Sequence, residues 1–358
     1  MHPLKRLYIL AGSVVGAALA GCGARGAEPV PSFAGRPKFR PDAHFAVIGD
    51  LQRTMIWGRL VMAEQNDAER RLLVPKLAES RPAFAVLLGD LVADGSSDGH
   101  WREFDDRTAL IRESNIPVFA VPGNHEYMFG GIRNLRHYFT RLPHLNHQHW
   151  YGVTFGNLGL VMLDSNFGPL SDVQWNEQRR WFETILKRFD EERSVEGVLV
   201  FLHHAPFTNS TTVKDDVHVQ EAFVRPFAAS KKTLAMLTGH AHGYEHFVSE
   251  GKTFIVTGGG GGPRFPLLQG AERRHVDDKY DGPPVRPFNF VELGFRDGGL
   301  HADVIGLPKG CRSFCIIESF DLLWLQGERA SRERASWRLD LPQCAHGESE
   351  VPCETASP

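Results

Sequence analysis

The sequence predicts an α/β fold built around a largely parallel sheet. Seven short apolar runs end in Gly, Asp, Asn or His, and they cover residues 45–50, 84–90, 118–124, 158–164, 198–204, 234–240 and 254–258. Segments with helical spacing of apolar residues lie between several of the runs, at residues 62–79, 101–114 and 176–189. Strands that alternate with helices are typical of α/β proteins whose sheet is mainly parallel.

The apolar runs are continuous rather than alternating. Residues 45–50 read Phe-Ala-Val-Ile-Gly-Asp and residues 84–90 read Phe-Ala-Val-Leu-Leu-Gly-Asp. Continuous runs of this length, bounded by Gly or Pro, are typical of strands buried on both faces. Further along the chain the pattern weakens, and residues 288–293 and 300–305 are expected to form edge strands.

Composition is that of an ordinary globular protein. The chain has 358 residues, of which 42% are hydrophobic and 23% charged, with a formal net charge of −3. This length suits one large domain or two small ones. A charge this close to neutral gives no reason to expect binding to a nucleic-acid polymer, and no feature of the sequence predicts a protein partner.

The N-terminal sequence is typical of an export signal. Lys5 and Arg6 precede an apolar run at residues 7–19, which is too short for a transmembrane helix. The following Leu-Ala-Gly-Cys resembles a bacterial lipobox, which implies a signal peptide over residues 1–21 and a lipid on the sulfur of Cys22. Residues 22–42 would then be a flexible tether to a membrane, facing the periplasm or the cell exterior. Plain secretion is the alternative.

Cysteines concentrate at the other end of the chain. Cys311, Cys315, Cys344 and Cys353 all lie in a stretch, residues 306–358, that we interpret as a C-terminal appendage following a main domain at residues 43–305. In an exported protein four cysteines indicate two disulfides, with three connectivities open. A zinc site is the competing interpretation, but two Cys-x-x-Cys pairs are missing.

Five polar blocks follow the apolar runs in a fixed order. They are Gly-Asp50-Leu-Gln52, Gly-Asp90, Gly-Asn124-His125-Glu, His203-His204-Ala-Pro and Gly-His240-Ala-His242. Because ligands bind at the carboxyl ends of parallel strands, we expect these side chains to converge. Carboxylate, amide and imidazole donors in one place predict a metal centre.

This order of blocks resembles the calcineurin-like metallophosphoesterase superfamily over roughly residues 42–305. The resemblance implies a four-layer α/β/β/α sandwich and a dinuclear centre holding divalent or trivalent ions, with Mn, Fe or Zn expected. Residues 204–210 are also distantly similar to purple acid phosphatases. Their chromophore Tyr, three residues after the Gly-Asp aspartate, is replaced by Ala93, so we expect no purple colour.

Each ligand follows from the same resemblance. It assigns the first metal to Asp50, Gln52 and His242, and the second to Asn124, His204 and His240. Asp90 would bridge the two and so take part in catalysis. A hydroxide between the metals would attack the phosphorus, and His125 would protonate the leaving oxygen. Most members have His where this chain has Gln52, and an amide oxygen favours Mn or Fe over Zn. A Gln52 that only lines the pocket is the alternative.

The neighbouring pair His203 and His204 leaves a choice. The family's ligand usually lies two residues before a Pro, and Pro206 therefore selects His204. His203 is expected on the opposite side of the strand, packed either behind the metal ligands or in the core.

The expected activity is hydrolysis of a small phosphate mono- or diester outside the cytoplasm. A nucleotide or cyclic-nucleotide phosphodiesterase and a pyrophosphatase are alternatives within the same class. A catalytically silent binding scaffold is the alternative from another class. Asn166, Asn209 and Arg264 are weaker candidates for contact with the substrate phosphate.

Overall fold

The computed structural model describes residues 29–55, 64–324 and 341–344. From Pro31 onward the chain belongs to one compact unit. Its strands in chain order are β1 His44–Ile48, β2 Ala85–Leu87, β3 Val118–Ala120, β4 Tyr151–Phe155, β5 Leu158–Met162, β6 Gly197–Phe201, β7 Thr233–Thr238, β8 Tyr244–Ser249, β9 Lys252–Thr257, β10 Phe288–Arg296, β11 Gly299–Leu307 and β12 Cys315–Leu323. All seven apolar runs form strands, as predicted.

The helices in chain order are α1 Asp67–Glu79, α2 Asp98–Arg107, α3 Ala109–Glu113, α4 Asn124–Tyr127, α5 Leu135–Arg141, α6 Asp172–Glu191, α7 Val217–Val219 and α8 Arg225–Ala229. Shorter 3-10 turns span Gly131–Asn134, Pro143–Leu145 and Gly270–Glu272, and a π-helical turn, Gln220–Val224, joins α7 to α8. Ser171 and Gln174 form a capping box that fixes the start of α6.

The strands form two mixed six-stranded sheets. The first has the order β12-β11-β10-β1-β2-β3 and the second β4-β5-β6-β7-β9-β8. The neighbours β1-β2-β3 and β5-β6-β7-β9 run parallel, so their carboxyl ends lie at a common edge of each sheet. The predicted α/β sandwich of two mixed sheets with helices is confirmed.

Strand β6 shows how the layers pack. Leu199 and Phe201 belong to the large core cluster that spans both sheets. The alternating residues Val198 and Val200 join a second cluster with Phe182 of α6. Successive side chains of a strand point to opposite faces, so β6 is buried on both.

Two strands predicted as edges are interior. Strand β10 lies between β1 and β11, and β11 lies between β10 and β12. The prediction of edge strands at residues 288–293 and 300–305 is therefore wrong. The predicted domain boundary at residue 305 falls inside β11, and the segment assigned to an appendage supplies β12. Long-range hydrogen bonding joins this segment to the sandwich.

The structure also shortens the predicted tether of residues 22–42. Phe33 is only 4% exposed, and its backbone N–H donates to the carbonyl of Arg141 at 2.8 Å. The ring of Phe39 packs edge-on against Phe155 and Phe295. Residues from Phe33 onward are therefore part of the folded unit, because their aromatic side chains find buried partners there. The signal peptide of residues 1–21 and Cys22 lie outside the described residues.

One of the predicted disulfides joins Cys315 of β12 to Cys344. Cys311 is also disulfide-bonded, and Cys353 lies outside the described residues. Within the described residues, every helix is too short or too polar to span a membrane.

Candidate metal centre

The carboxyl ends of the parallel strands bring the polar blocks together, as the sequence predicted. Two groups of donor atoms result, each with its atoms within 4.8 Å of one another. One group contains Asp50, Asp90 and His242, and the other contains His203, His204 and His240.

Four of these residues have a left-handed backbone. The φ angles are 61° at Asp50, 51° at Asp90, 67° at His240 and 45° at His242. Sparsely populated conformations cost roughly 1–3 kcal/mol each and tend to collect at functional sites. Their concentration here indicates a backbone shaped by function rather than by stability.

Glycine is required where two of the loops touch. Gly89 has a φ of 85°, and a Cβ there would lie 2.4 Å from the backbone nitrogen of Gly123. A Cβ on Gly123 would in turn lie 2.2 Å from the Oδ1 of Asp90. The two glycines therefore let the β2 and β3 loops approach closely enough for Asp90 to reach the centre.

His242 and Gln52 surround Asp50 in the first group. The Nδ1 of His242 lies 2.7 Å from the carbonyl of Pro263, which accepts a hydrogen bond from the Nδ1–H and leaves the lone pair of Nε2 free to bind a metal. That Nε2 lies 3.4 Å from Asp50 Oδ1 and 3.0 Å from Gln52 Nε2. The Oε1 of Gln52 is buried and has no hydrogen-bond partner among the described residues, which suits an amide that ligates a metal.

Asp90 belongs to the first group and also contacts the second. Its Oδ1 accepts a hydrogen bond from the backbone of His125 at 2.9 Å, and its Oδ2 accepts one from Gln52 Nε2 at 3.2 Å. The same Oδ2 lies 3.4 Å from His203 Nε2. This contact with both groups is the one expected of a carboxylate shared by two metals.

His203 lies in the centre, so the expectation that it points away is wrong. Its Nδ1 lies 2.8 Å from the carbonyl of Leu88, and its Nε2 lies 3.1 Å from Asn124 Oδ1 and 3.2 Å from His240 Nδ1. Strand β6 ends at Phe201 and the chain bends at residues 203–204, so the alternation of a strand no longer applies.

His204, the predicted ligand, lies beside His203. Its Nδ1 lies 2.8 Å from Ser165 Oγ, and its ring centroid is 4.5 Å from that of His240. Both histidines therefore border the centre, but His203 is the one in contact with Asn124 and Asp90.

The electrostatic field of the centre favours cations. Burial raises the pKa of Asp50. Burial also tends to raise the pKa of Asp90, but the charges of His203 and His125 outweigh it and hold the pKa below its usual range. Burial disfavours a charged His203, yet the Asp90 carboxylate raises the pKa of that imidazole to about 10. The negative charge of Asp90, which raises the pKa of His203, would also attract a metal ion, and a metal that binds His203 takes the place of the proton on that ring nitrogen.

These residues fit a pair of metal ions. The imidazoles of His203 and His242 are each fixed through Nδ1 by a backbone carbonyl, which is how metal-binding histidines are commonly oriented. Buried carboxylates and the unpartnered oxygen of Gln52 complete a mixed nitrogen and oxygen donor set.

Glu126 organises the centre and was not among the predicted site residues. Its fully buried carboxylate accepts hydrogen bonds from the backbone N–H groups of Asp90, Leu91 and Gly123 at 2.7–2.8 Å. Burial and the neighbouring Asp90 raise its pKa to about 8. The sequence could have indicated this residue, because Glu126 directly follows His125 in the Gly-Asn-His-Glu block.

His125 has one ring nitrogen fixed and one free. Its Nδ1 lies 2.7 Å from the carbonyl of Ala93, and its Nε2 lies 3.7 Å from Asp90 Oδ2. An imidazole held in this way presents Nε2 to the centre for proton transfer.

The three weaker candidates are engaged by other protein groups. Arg264 forms a bidentate ion pair with Glu64, in which Nη2 donates to Oε1 at 2.6 Å and Nε donates to Oε2 at 3.1 Å. Asn209 bonds the backbone of His275 through both side-chain atoms. Asn166 donates to the carbonyl of Pro122 at 3.0 Å.

Three of the known proteins that are similar to this chain are described below. A probable cyclic nucleotide phosphodiesterase from Fibrobacter succinogenes is 27% identical over 222 residues, which are 60% of this chain and 76% of that protein. GAP50, the anchor in the inner membrane complex of Plasmodium, has a TM-score of 0.59 at 13% identity over 80% of this chain and 90% of its own. A dimetal phosphatase from Danio rerio has a TM-score of 0.54 at 19% identity, and the match covers 80% of this chain and 100% of that protein.

The two solved structures share the fold at low identity and so support the architecture alone. The family model for calcineurin-like phosphoesterases matches residues 43–244, which is more than half of the chain. The chain therefore belongs to the calcineurin-like phosphoesterase family, a family of phosphoester hydrolases, as the order of its metal-binding blocks predicted.

Proposed function

We propose that this protein is a dinuclear metal-dependent hydrolase of a small phosphate mono- or diester. The observation that carries the proposal is that Asp90, a member of the first group of donor atoms, also contacts His203 of the second, with His125 beside it. A shared carboxylate between two sets of ligands is what a two-metal site needs.

The ligand sets follow the geometry. Asp50, Gln52 and His242 would hold the first metal with Asp90. The second would be held with Asp90 by Asn124, His203 and His240, so that His203 replaces the predicted His204 as ligand. Two cations, when bound, supply positive charge that stabilises the phosphoryl oxygens and makes a water molecule more acidic.

The chain's own groups complete the chemistry. His125 donates the proton of Nε2 to the leaving oxygen, while its Nδ1 stays fixed on Ala93. Glu126 keeps the Asp90 and Gly123 loops in position through its backbone hydrogen bonds.

Assay of the metal-loaded protein tests this function. The protein is stripped with a chelator, reloaded with Mn²⁺ and assayed on p-nitrophenyl phosphate and bis-p-nitrophenyl phosphate. We expect metal-dependent turnover of at least one ester, and a loss of about 10²- to 10⁴-fold in His125→Ala. His137→Ala, which removes an imidazole stacked on Trp101 outside the centre, is the matched control.

Turnover that persists in His125→Ala would refute the assigned proton donor. Two bound metals with no turnover of any ester would instead favour the silent scaffold.

A cyclic nucleotide phosphodiesterase is the second candidate. It is favoured by the Fibrobacter succinogenes relative, whose sequence aligns with 60% of this chain. Hydrolysis of 3′,5′-cyclic AMP at a rate well above that of both p-nitrophenyl esters would select it.

We also propose that the protein is exported and anchored through a lipid on Cys22. The lipobox-like sequence supports this location, and so does the Cys315–Cys344 disulfide, since disulfides persist mainly in oxidising compartments. Metabolic labelling with a fatty acid should mark the wild type and not Cys22→Ala. Labelling of both proteins, or of neither, would contradict the anchor.

A further inference from the structure

A stacked pair of aromatic rings lies close to the metal centre. The rings of Phe167 and His218 are nearly parallel, at 13°, with centroids 3.8 Å apart. Trp175 of α6 packs edge-on against Phe167 at 5.2 Å. We call these three residues the aromatic patch.

The Phe167 side of the aromatic patch is tied to the loops of the centre. Phe167 follows Ser165 and Asn166 at the carboxyl end of β5. Ser165 Oγ lies 2.8 Å from His204 Nδ1, and Asn166 bonds the carbonyl of Pro122, two residues before Asn124. The patch therefore begins within two residues of groups that contact the β6 loop and the β3 loop.

The His218 side is tied to the same place. His218 lies in α7, whose N-cap is Asp216. The backbone N–H of Asp216 donates to the carbonyl of Ala205 at 3.0 Å, and Ala205 follows His204 directly. Both halves of the aromatic patch are thus linked to the loop after β6, one through His204 and the other through Ala205.

The packing leaves part of the aromatic patch open to solvent. Trp175 is 6% exposed and belongs to the core beneath α6, whereas Phe167 is 37% exposed and His218 is partly exposed. A partly exposed ring such as that of Phe167 gains less from burial than a core ring does. Flat aromatic surfaces of this kind stack well on nucleic-acid bases.

We propose that the aromatic patch binds the base of a nucleotide whose phosphate lies at the metal centre. This inference rests on the proposed function and deepens it, because it assigns the substrate class to nucleotides rather than to phosphate esters in general. The patch supplies affinity for the base, and the metal centre supplies affinity for the phosphate. Phe167 and His218 are therefore specificity-determining contacts rather than catalytic residues.

Binding of two ligands that differ only in the base tests the inference. Calorimetry on the Mn²⁺-loaded full chain gives the dissociation constants of adenosine 5′-monophosphate and ribose 5-phosphate. Stacking on an aromatic side chain should make the nucleotide bind about 5- to 100-fold more tightly. Phe167→Ala should raise the dissociation constant of the nucleotide by at least about fivefold and leave that of ribose 5-phosphate unchanged. His218→Ala should change the two constants in the same direction.

His137→Ala is again the control, because it removes a stacked imidazole away from the aromatic patch and should alter neither constant. Thermal unfolding checks that each variant is folded. Equal dissociation constants for the two ligands, no binding of either, or a preference unchanged in both patch variants would overturn the inference. Turnover of bis-p-nitrophenyl phosphate is measured in parallel, so failure of the hydrolase assignment is seen separately from failure of the base site.

Discussion

Replacing His203 and His204 one at a time decides which histidine binds the second metal. In the structure, His203 Nε2 lies 3.1 Å from Asn124 Oδ1 and 3.4 Å from Asp90 Oδ2, whereas His204 Nδ1 faces Ser165 Oγ. We therefore expect His203→Ala to remove a direct ligand and His204→Ala to leave both metal sites complete.

The size of the effect follows from the contacts. Removing a group that merely orients a metal ligand already lowers metal affinity by about 10- to 100-fold. Loss of a direct ligand should exceed about 100-fold, or roughly 2.8 kcal/mol of binding free energy. His203→Ala also leaves the buried carbonyl of Leu88 without the imidazole partner at 2.8 Å, which should lower the free energy of unfolding by roughly 1–3 kcal/mol.

Metal analysis measures both outcomes. After reconstitution with Mn²⁺ and gel filtration, the wild type and His204→Ala should retain two metals per chain and His203→Ala about one. Titration of the metal-free proteins gives the affinities, and chemical unfolding without metal gives the stability cost. Retention of two metals by His203→Ala, together with loss of one by His204→Ala, would refute the geometric assignment and restore the choice based on Pro206.

Three further predictions concern other parts of the molecule. Gln52→Ala removes the buried amide oxygen that has no partner among the described residues, so manganese titration should show at least a tenfold loss at one site, about 1.4 kcal/mol, with the other site unchanged. Equal affinity at both sites would show that Gln52 only lines the centre. The double variant Cys315→Ala/Cys344→Ala removes the disulfide between residues 29 apart in sequence. The larger conformational entropy of its unfolded chain should lower the free energy of unfolding, measured in urea, by about 3.6 kcal/mol. A loss below about 1 kcal/mol would contradict this account. The hydrogen bond to Asp215 at 2.9 Å raises the pKa of His275 above 6.5, so the pair stabilises the fold fully below about pH 6.5 and less as the pH rises through the raised pKa. The difference in free energy of unfolding between wild type and His275→Gln should therefore shrink from about pH 5.5 to about pH 9, and a constant difference would argue against the ion pair.

The predictions from sequence succeeded where the controlling interactions are local. An apolar run followed by Gly-Asp predicts a strand that is buried on both faces and ends in a sharp turn. This prediction needs no knowledge of the rest of the fold, because both features depend on a short segment. Asp50, Asp90 and His240 could therefore be placed at strand ends without knowledge of which strands pair.

The predictions failed where pairing between distant segments decides. Strands β10 and β11 carry weak apolar signals, and only their hydrogen bonds to β1 and β12 make them interior strands. The disulfide partner of Cys315 depends in the same way on the path of the chain after β12. Sequence spacing contains little information about either.

By itself, the sequence determined the family and the class of enzyme, and it predicted most of the side chains that the structure brings together in the centre, since motif order and residue type are sufficient for these. Only the tertiary structure distinguished His203 from His204, because the chain leaves the strand geometry after Phe201 and strand alternation no longer assigns side chains to faces. Only the tertiary structure brought Phe167 and His218 together beside the centre. These two residues lie in separate loops, and their contact arises from the packing of α6 and α7 against the second sheet rather than from any local pattern.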